Sequence, residues 1–360
     1  MRRPGRRGAS LAITIALLAL VLPSGAQAFY KSFWGPGYIT GSDPFPIFQQ
    51  LGVQIVQEGV NWSTAAPTRP AHPTDPNDPA YHWDPTLDAV IANAATYNMR
   101  VLLQVIFTPR WANGGRPQNW TPRNPADFAN FATAAARRYP SVHLWMVWGE
   151  PDRSANFEPL AIARPGAKLN KQQQTAPHNY ANILDATYGA LKRVSRANVV
   201  FGGCTFASGN IDTEQWIQNL RLPNGKPPRM DIYSHNPFGP SEPRLGGPPS
   251  PGGQVQFSDL PRMAKWIDRY LGKPRHLKKQ IPIFLSEWKQ PTAPEEEFSW
   301  WLDPDVAAKY TSEAISVSRS WKRIYGFGWI ELYDEPPVEN SGLLTVDGVR
   351  KPDFYAFANS

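Results

Sequence analysis

Short apolar runs alternate along the chain with longer stretches of helical spacing. The runs are "SFWG" (32–35), "VQIV" (53–56), "VLLQVIF" (101–107), "VHLWMVW" (142–148), "VVFGGC" (199–204), "MDIYS" (230–234), "IPIFLS" (281–286) and "YGFGWI" (325–330). Continuous apolar runs of this length fit parallel strands buried on both faces. Between them, apolar residues recur at i, i+3 and i+4. They are Leu87, Val90, Ile91, Ala94 and Ala95; Phe128, Phe131, Ala132 and Ala135; Tyr180, Ile183, Leu184, Thr187, Tyr188 and Leu191; and Leu260, Met263, Ala264, Ile267 and Leu271. Each set predicts a helix with one buried stripe. Four helix starts share a device: Asp43-Pro44, Asp84-Pro85, Asn124-Pro125 and Asp303-Pro304 pair a side-chain cap with proline at the first helical position.

Eight strand–helix units predict an α/β fold, a single (β/α)8 TIM barrel over residues 29–360. No GxGxxG follows the early strands, which argues against an open dinucleotide-binding sheet. Four long irregular stretches, 63–83, 152–175, 236–257 and 288–303, each follow a strand and precede a helix. In a barrel such loops share the C-terminal face, where active sites are built. The returns from helix to strand look short.

The N-terminus reads differently. Arg2, Arg3, Arg6 and Arg7 precede an apolar stretch, Leu11 to Leu22, and then Ala26-Gln27-Ala28. This is the layout of a cleavable export signal, with cleavage expected after Ala28. The apolar stretch is shorter than the ~20 residues a spanning helix needs. An exported protein of 332 residues is the expectation, with no membrane attachment after cleavage. Removing the four arginines of the leader lowers the formal charge from +7 to +3. That leaves no case for nucleic acid, which needs a clustered basic face. Cys204 is the single cysteine, so no intramolecular disulfide forms and a large core must hold the fold. Cys204 lies in a strand run and reads as a packed thiol. No CxxC or HxxxH spacing suggests a metal site, and no cofactor is expected.

Two glutamates stand at equivalent places. Glu150 follows "VHLWMVWG" and Glu287 follows "IPIFLS", on the fourth and seventh strands of this count. Barrel closure brings both to one mouth despite their separation in sequence. Two facing carboxyls suit glycosidic bond cleavage, where one protonates the leaving oxygen and the other attacks the anomeric carbon or activates water. Trp148 and Trp288 flank the pair.

The stretches "WGEPD" and "FLSEW" resemble motifs of the barrel-fold retaining glycoside hydrolases of clan A, which include many cellulases, β-mannanases and β-xylosidases. The closing segment "SGLLTVDGVRKPDFYAF" (341–357) is similar to theirs. The resemblance implies Glu150 as acid/base and Glu287 as nucleophile, with Glu150 protonated and Glu287 ionised. It implies substrate contacts at His235 and Tyr233 on strand six and at Trp329 on strand eight; Asn236 beside them, Trp62 after strand two and Trp34 after strand one are further candidate sugar contacts. The implied partner is an oligosaccharide or polysaccharide. Glu331 is the leading rival carboxylate, and Glu295, Glu296 and Glu297 read as solvated surface.

Two positions depart from that family. Its asparagine before the acid/base, which bonds the sugar 2-hydroxyl, is Gly149 here; its arginine late in strand two is Gln57. Asn61, Asn236 or Asp152 could take over, the substrate could differ at that position, or turnover could be weak or lost. A carbohydrate-binding barrel without turnover is the alternative reading. A metal-dependent hydrolase on the same fold is a further rival, marked by loss of activity with chelator.

Overall fold

The computed structural model describes residues 29–35, 43–274, 277 and 280–360. The expected leader lies outside the described residues. Eight strands close a barrel in chain order: β1 (Tyr30–Trp34), β2 (Ile55–Asn61), β3 (Arg100–Ile106), β4 (Leu144–Val147), β5 (Val199–Phe206), β6 (Ile232–Asn236), β7 (Ile283–Leu285) and β8 (Ile324–Ile330). All eight neighbouring pairs are parallel. Around them lie α1 (Phe45–Gln50), α2 (Trp62–Ala65), α3 (Pro85–Thr96), α4 (Arg110–Asn113), α5 (Pro125–Arg138), α6 (Thr175–Val194), α7 (Thr213–Asn219), α8 (Leu260–Tyr270), α9 (Pro304–Ser320) and α10 (Pro352–Asn359). The chain is therefore a single (β/α)8 barrel.

Strand alternation divides the core in two. Ile55, Leu102, Leu144, Met146, Phe201, Ile232, Phe284 and Cys204 fill the barrel interior. Val56, Leu103, Val105, Trp145, Val147 and Leu285 point outward into the layer shared with the helices. The large side chains of that layer are fully buried, each stabilising the fold by roughly 1.5–3 kcal/mol.

Three of the four cap–proline pairs work as expected. Asp84, Asn124 and Asp303 accept from the backbone N–H of Thr86, Ala126 and Asp305. Asp43 accepts from Phe45 at 3.0 Å, one residue earlier relative to the helix. The helical stripes are buried as expected, except that Ala95 faces solvent. β2 runs on to Asn61 although Gln57, Glu58 and Gly59 break its apolar pattern, because its backbone keeps pairing with β3. Two returns are long, residues 220–231 and 271–282, against the expectation of short ones. The loops after β2, β4, β6, β7 and β8 meet at the C-terminal mouth.

Candidate active site

Left-handed backbone at non-glycine residues gathers at this mouth. Phe107 (φ 66°) follows β3, Trp148 (66°) and Glu150 (44°) follow β4, Cys204 (49°) lies in β5, and Glu331 (75°) follows β8. Such conformations cost about 1–3 kcal/mol each and persist where surrounding structure imposes them, as functional sites do.

Glu150 is 6 % exposed. Its Oε2 accepts from Arg153 Nη1 at 2.7 Å and from Asn156 Nδ2 at 3.1 Å. Its Oε1 accepts from Asn236 Nδ2 at 2.9 Å. Asn236 also acts on Glu287, favouring its ionised form. Asn236 is oriented by Ser286 Oγ, which donates to its Oδ1 at 2.6 Å. Gln57, on the inward face of β2, donates to the Ser286 carbonyl at 2.7 Å and so braces the backbone beside Glu287 without carrying charge to it.

Burial raises the pKa of both glutamates. Glu150 is countered by the charge and hydrogen bond of Arg153 and by Asn236, with Glu297 acting the other way. Glu287 is pushed well above the usual carboxylate range, by burial first, then by repulsion from Glu150 and Glu297; Lys289 and Asn236 only partly offset this. Both carboxyls are thus held above the usual carboxylate range. Arg153, in direct contact with Glu150, favours its ionised form.

The remaining predicted residues divide sharply. Trp34 lies on the inward alternation of β1, level with Ile330 of β8, and is half-buried at the mouth. His235 and Tyr233 lie on the outward alternation of β6. His235 is fully buried, with Nδ1 at 2.8 Å from Thr205 Oγ1 and Nε2 at 2.8 Å from the Val255 carbonyl. Both ring nitrogens are engaged, and burial pushes its pKa down to about 4. The Tyr233 hydroxyl meets Thr205 at 3.2 Å. Trp62 stacks on Phe131 inside the helical layer, and Trp329 packs edge-on to Phe357. These four are corrected from substrate contacts to core residues, since strand direction and packing turn them away from the mouth. Trp148 and Trp288 are likewise core, against Phe157 and Phe257.

Three further expectations change. Glu297 accepts an ion pair from Lys289 at 2.7 Å, and Glu295 accepts from Ser341 Oγ at 2.8 Å, so neither is free surface. Lys289 is 1 % exposed and also faces Glu331 at 3.2 Å and Glu339 at 3.3 Å. Glu331 is thereby committed to an ion pair. Asp152 is buried and accepts from the Phe206 N–H at 3.0 Å, and Asn61 caps α2. Cys204 is buried, as expected, with its thiol pKa raised by burial.

Arg153, Lys289 and the aromatic wall beside them were missed from sequence. The Arg153 guanidinium lies 4.1 Å from the Phe206 ring centroid. Phe206, Phe238, Phe298 and Trp300, with Gln254, Gln256 and Glu297, line a groove of about 390 Å³. Among the described residues, no group of three or more His, Cys, Asp or Glu is placed to hold a metal ion.

Fold and mouth together define a (β/α)8 barrel carrying a carboxylate pair at the ends of its fourth and seventh strands. Solved structures with this fold include a family 39 glycoside hydrolase from Bacteroides cellulosilyticus, at TM-score 0.65 and 16% identity over 91% of this chain. A monomeric β-xylosidase from Caulobacter crescentus matches at TM-score 0.62 and 17% identity over 93% of this chain. A family 39 enzyme from Xanthomonas axonopodis matches at TM-score 0.63 and 18% identity over 93%. The chain spans 62%, 68% and 67% of the lengths of these three structures. At such identities the likeness is one of fold. No protein-family model matches the sequence, and no curated protein matches it.

Proposed function

We propose that this chain is a glycoside hydrolase that cleaves O-glycosidic bonds with retention, Glu150 serving as acid/base and Glu287 as nucleophile. The observation that carries this reading is a pair of glutamates at the ends of the fourth and seventh strands, Glu150 buried and held by Asn236, with Asn236 also acting on Glu287. Retention goes with carboxyls about 5–5.5 Å apart, inversion with roughly 6.5–9.5 Å. The shared fold with family 39 and β-xylosidase structures supports it.

In the first step Glu287 attacks the anomeric carbon while Glu150 gives its proton to the leaving oxygen. In the second, Glu150 takes a proton from water, which attacks the same carbon and frees Glu287. The productive form needs the proton on Glu150 and Glu287 ionised. The aromatic groove beside Arg153 suits the sugar or aglycone on the leaving side, since ring faces stack on apolar sugar faces. Trp34 supports the sugar across the mouth. The leader-like N-terminus supports a secreted enzyme acting on extracellular saccharides.

A non-catalytic carbohydrate-binding barrel is the second reading, favoured by the uncharged Gln57 beside Ser286. A panel of aryl β-glycosides and cell-wall oligosaccharides separates the two. Turnover by the wild type that Glu287→Gln and Glu150→Ala reduce, with NMR showing retained configuration in the first product, supports hydrolysis. Turnover unaffected by Glu287→Gln sinks the mechanism.

A further inference from the structure

Gly149, the residue immediately before the acid/base, is not in the left-handed region, so its backbone does not require glycine. Space does. A Cβ built there would lie 2.8 Å from Nε2, 3.0 Å from Oε1 and 3.1 Å from Cδ of Gln104. The first is closer than real Cβ atoms come, the other two are tight, and a side chain at 149 would have to displace the end of Gln104. The carboxamide of Gln104, on the inward face of β3, therefore fills the place a side chain at 149 would occupy.

Gln104 is itself oddly provided for. It is 4 % exposed, yet its one hydrogen bond runs from Nε2 to the thioether of Met146 at 3.3 Å. A buried carboxamide with only a weak sulfur acceptor forgoes most of the hydrogen bonding that water would give it. On its other side its register partner is Gly59 of β2, which is exposed, and a Cβ there would meet nothing within 4 Å. The amide thus fills the space at Gly149, while Gly59 leaves the β2 side of the same level open.

We infer that Gln104 is a substrate-binding residue of the proposed hydrolysis, its carboxamide hydrogen-bonding the sugar hydroxyl next to the anomeric carbon. The inference rests on the proposed function. A sugar with its anomeric carbon between Glu150 and Glu287 has one carbon neighbour in the ring, and the hydroxyl there is the hydroxyl nearest the pair. A donor abutting residue 149 is placed for it. Hydrogen bonds to that hydroxyl tighten as the transition state forms, so the contact acts on rate.

The test compares an aryl β-glycoside with its 2-deoxy analogue, using kcat/KM of each variant relative to wild type. Gln104→Leu is expected to lose roughly 10²-fold on the parent glycoside and less than about threefold on the 2-deoxy compound. Gln104→Ala serves where the leucine variant melts below wild type. The double variant Gln104→Ala/Gly149→Asn, which carries an amide from the other side of the same space, should recover at least tenfold over Gln104→Ala on the parent only. Equal losses on both substrates, or none on either, overturn the inference and leave the hydrolase reading standing. A wild type that cleaves no glycoside overturns both.

Discussion

Replacing Arg153 by Met tests whether this arginine holds Glu150 toward its ionised form. Methionine keeps an apolar stem against Phe206 and removes the charge. The ion pair is 2.7 Å long and its two side chains are 30 % and 8 % exposed. A hydrogen bond to a charged group of this kind is worth about 1.5–3 kcal/mol. At about 1.36 kcal/mol per factor of ten, its loss shifts the Glu150 proton equilibrium roughly 10- to 100-fold toward the protonated form. The sign follows from charge: a cation favours the ionised carboxylate, so removing it favours the proton. On the alkaline side both carboxyls are mostly ionised. There the rate follows the small population with Glu150 protonated and Glu287 ionised. That population grows by roughly 10- to 100-fold, and the weaker acidity of the new Glu150 takes back part of the gain. The assay is kcat/KM against pH for a phenyl glycoside, whose leaving group needs the proton. A 2,4-dinitrophenyl glycoside, which leaves unaided, is the control. A several-fold rise at alkaline pH confined to the phenyl substrate is expected. No rise, or the same change with both substrates, would refute the reasoning.

Glu287→Gln should raise the melting temperature near neutral pH while abolishing turnover, because it removes a buried carboxyl whose pKa is held well above the usual range. Glu287 binds its proton more tightly folded than unfolded, so its cost appears only as pH rises above the unfolded value of about 4.3. The advantage of the glutamine should therefore vanish below that pH, and a gain that persists there would contradict this. His235 runs the other way. Its folded pKa of about 4 lies below the unfolded value, so stability is lost as pH falls from about 6.5. Urea unfolding at pH 6.5 and 5 should show about 2 kcal/mol of loss that His235→Gln lacks. Cys204 should stay unreactive to a thiol reagent in the native state and react fully once unfolded; rapid native labelling would contradict its packing.

The barrel could be read from sequence because its signals are local and repeated. Short apolar runs, stripes at helical spacing and four cap–proline pairs recur in register around the fold. The two glutamates were readable because each interrupts an apolar run at a strand end. What failed was facing. On β6 both alternations are buried, so nothing in "IYSHN" tells that Tyr233 and His235 point outward while Asn236 points in. The same ambiguity turned Trp329 into a sugar platform, although it packs on Phe357. Arg153 did carry a signal, three residues past Glu150 in a turn where the two side chains can meet. Gln104 carried one as well, a lone amide within "VLLQVIF" that a doubly buried strand has no ordinary use for. The link from Gly149 to Gln104 had none, since it joins separate strands through the space a missing side chain leaves.

Covalent trapping tests the central claim most directly. Wild type incubated with a 2-deoxy-2-fluoro-glycosyl fluoride of a sugar it cleaves, then digested and analysed by mass spectrometry, should carry one fluoroglycosyl group on Glu287. Loss of activity should follow the labelling. Turnover without any covalent label, or a label on Glu150 or Glu331, would contradict it.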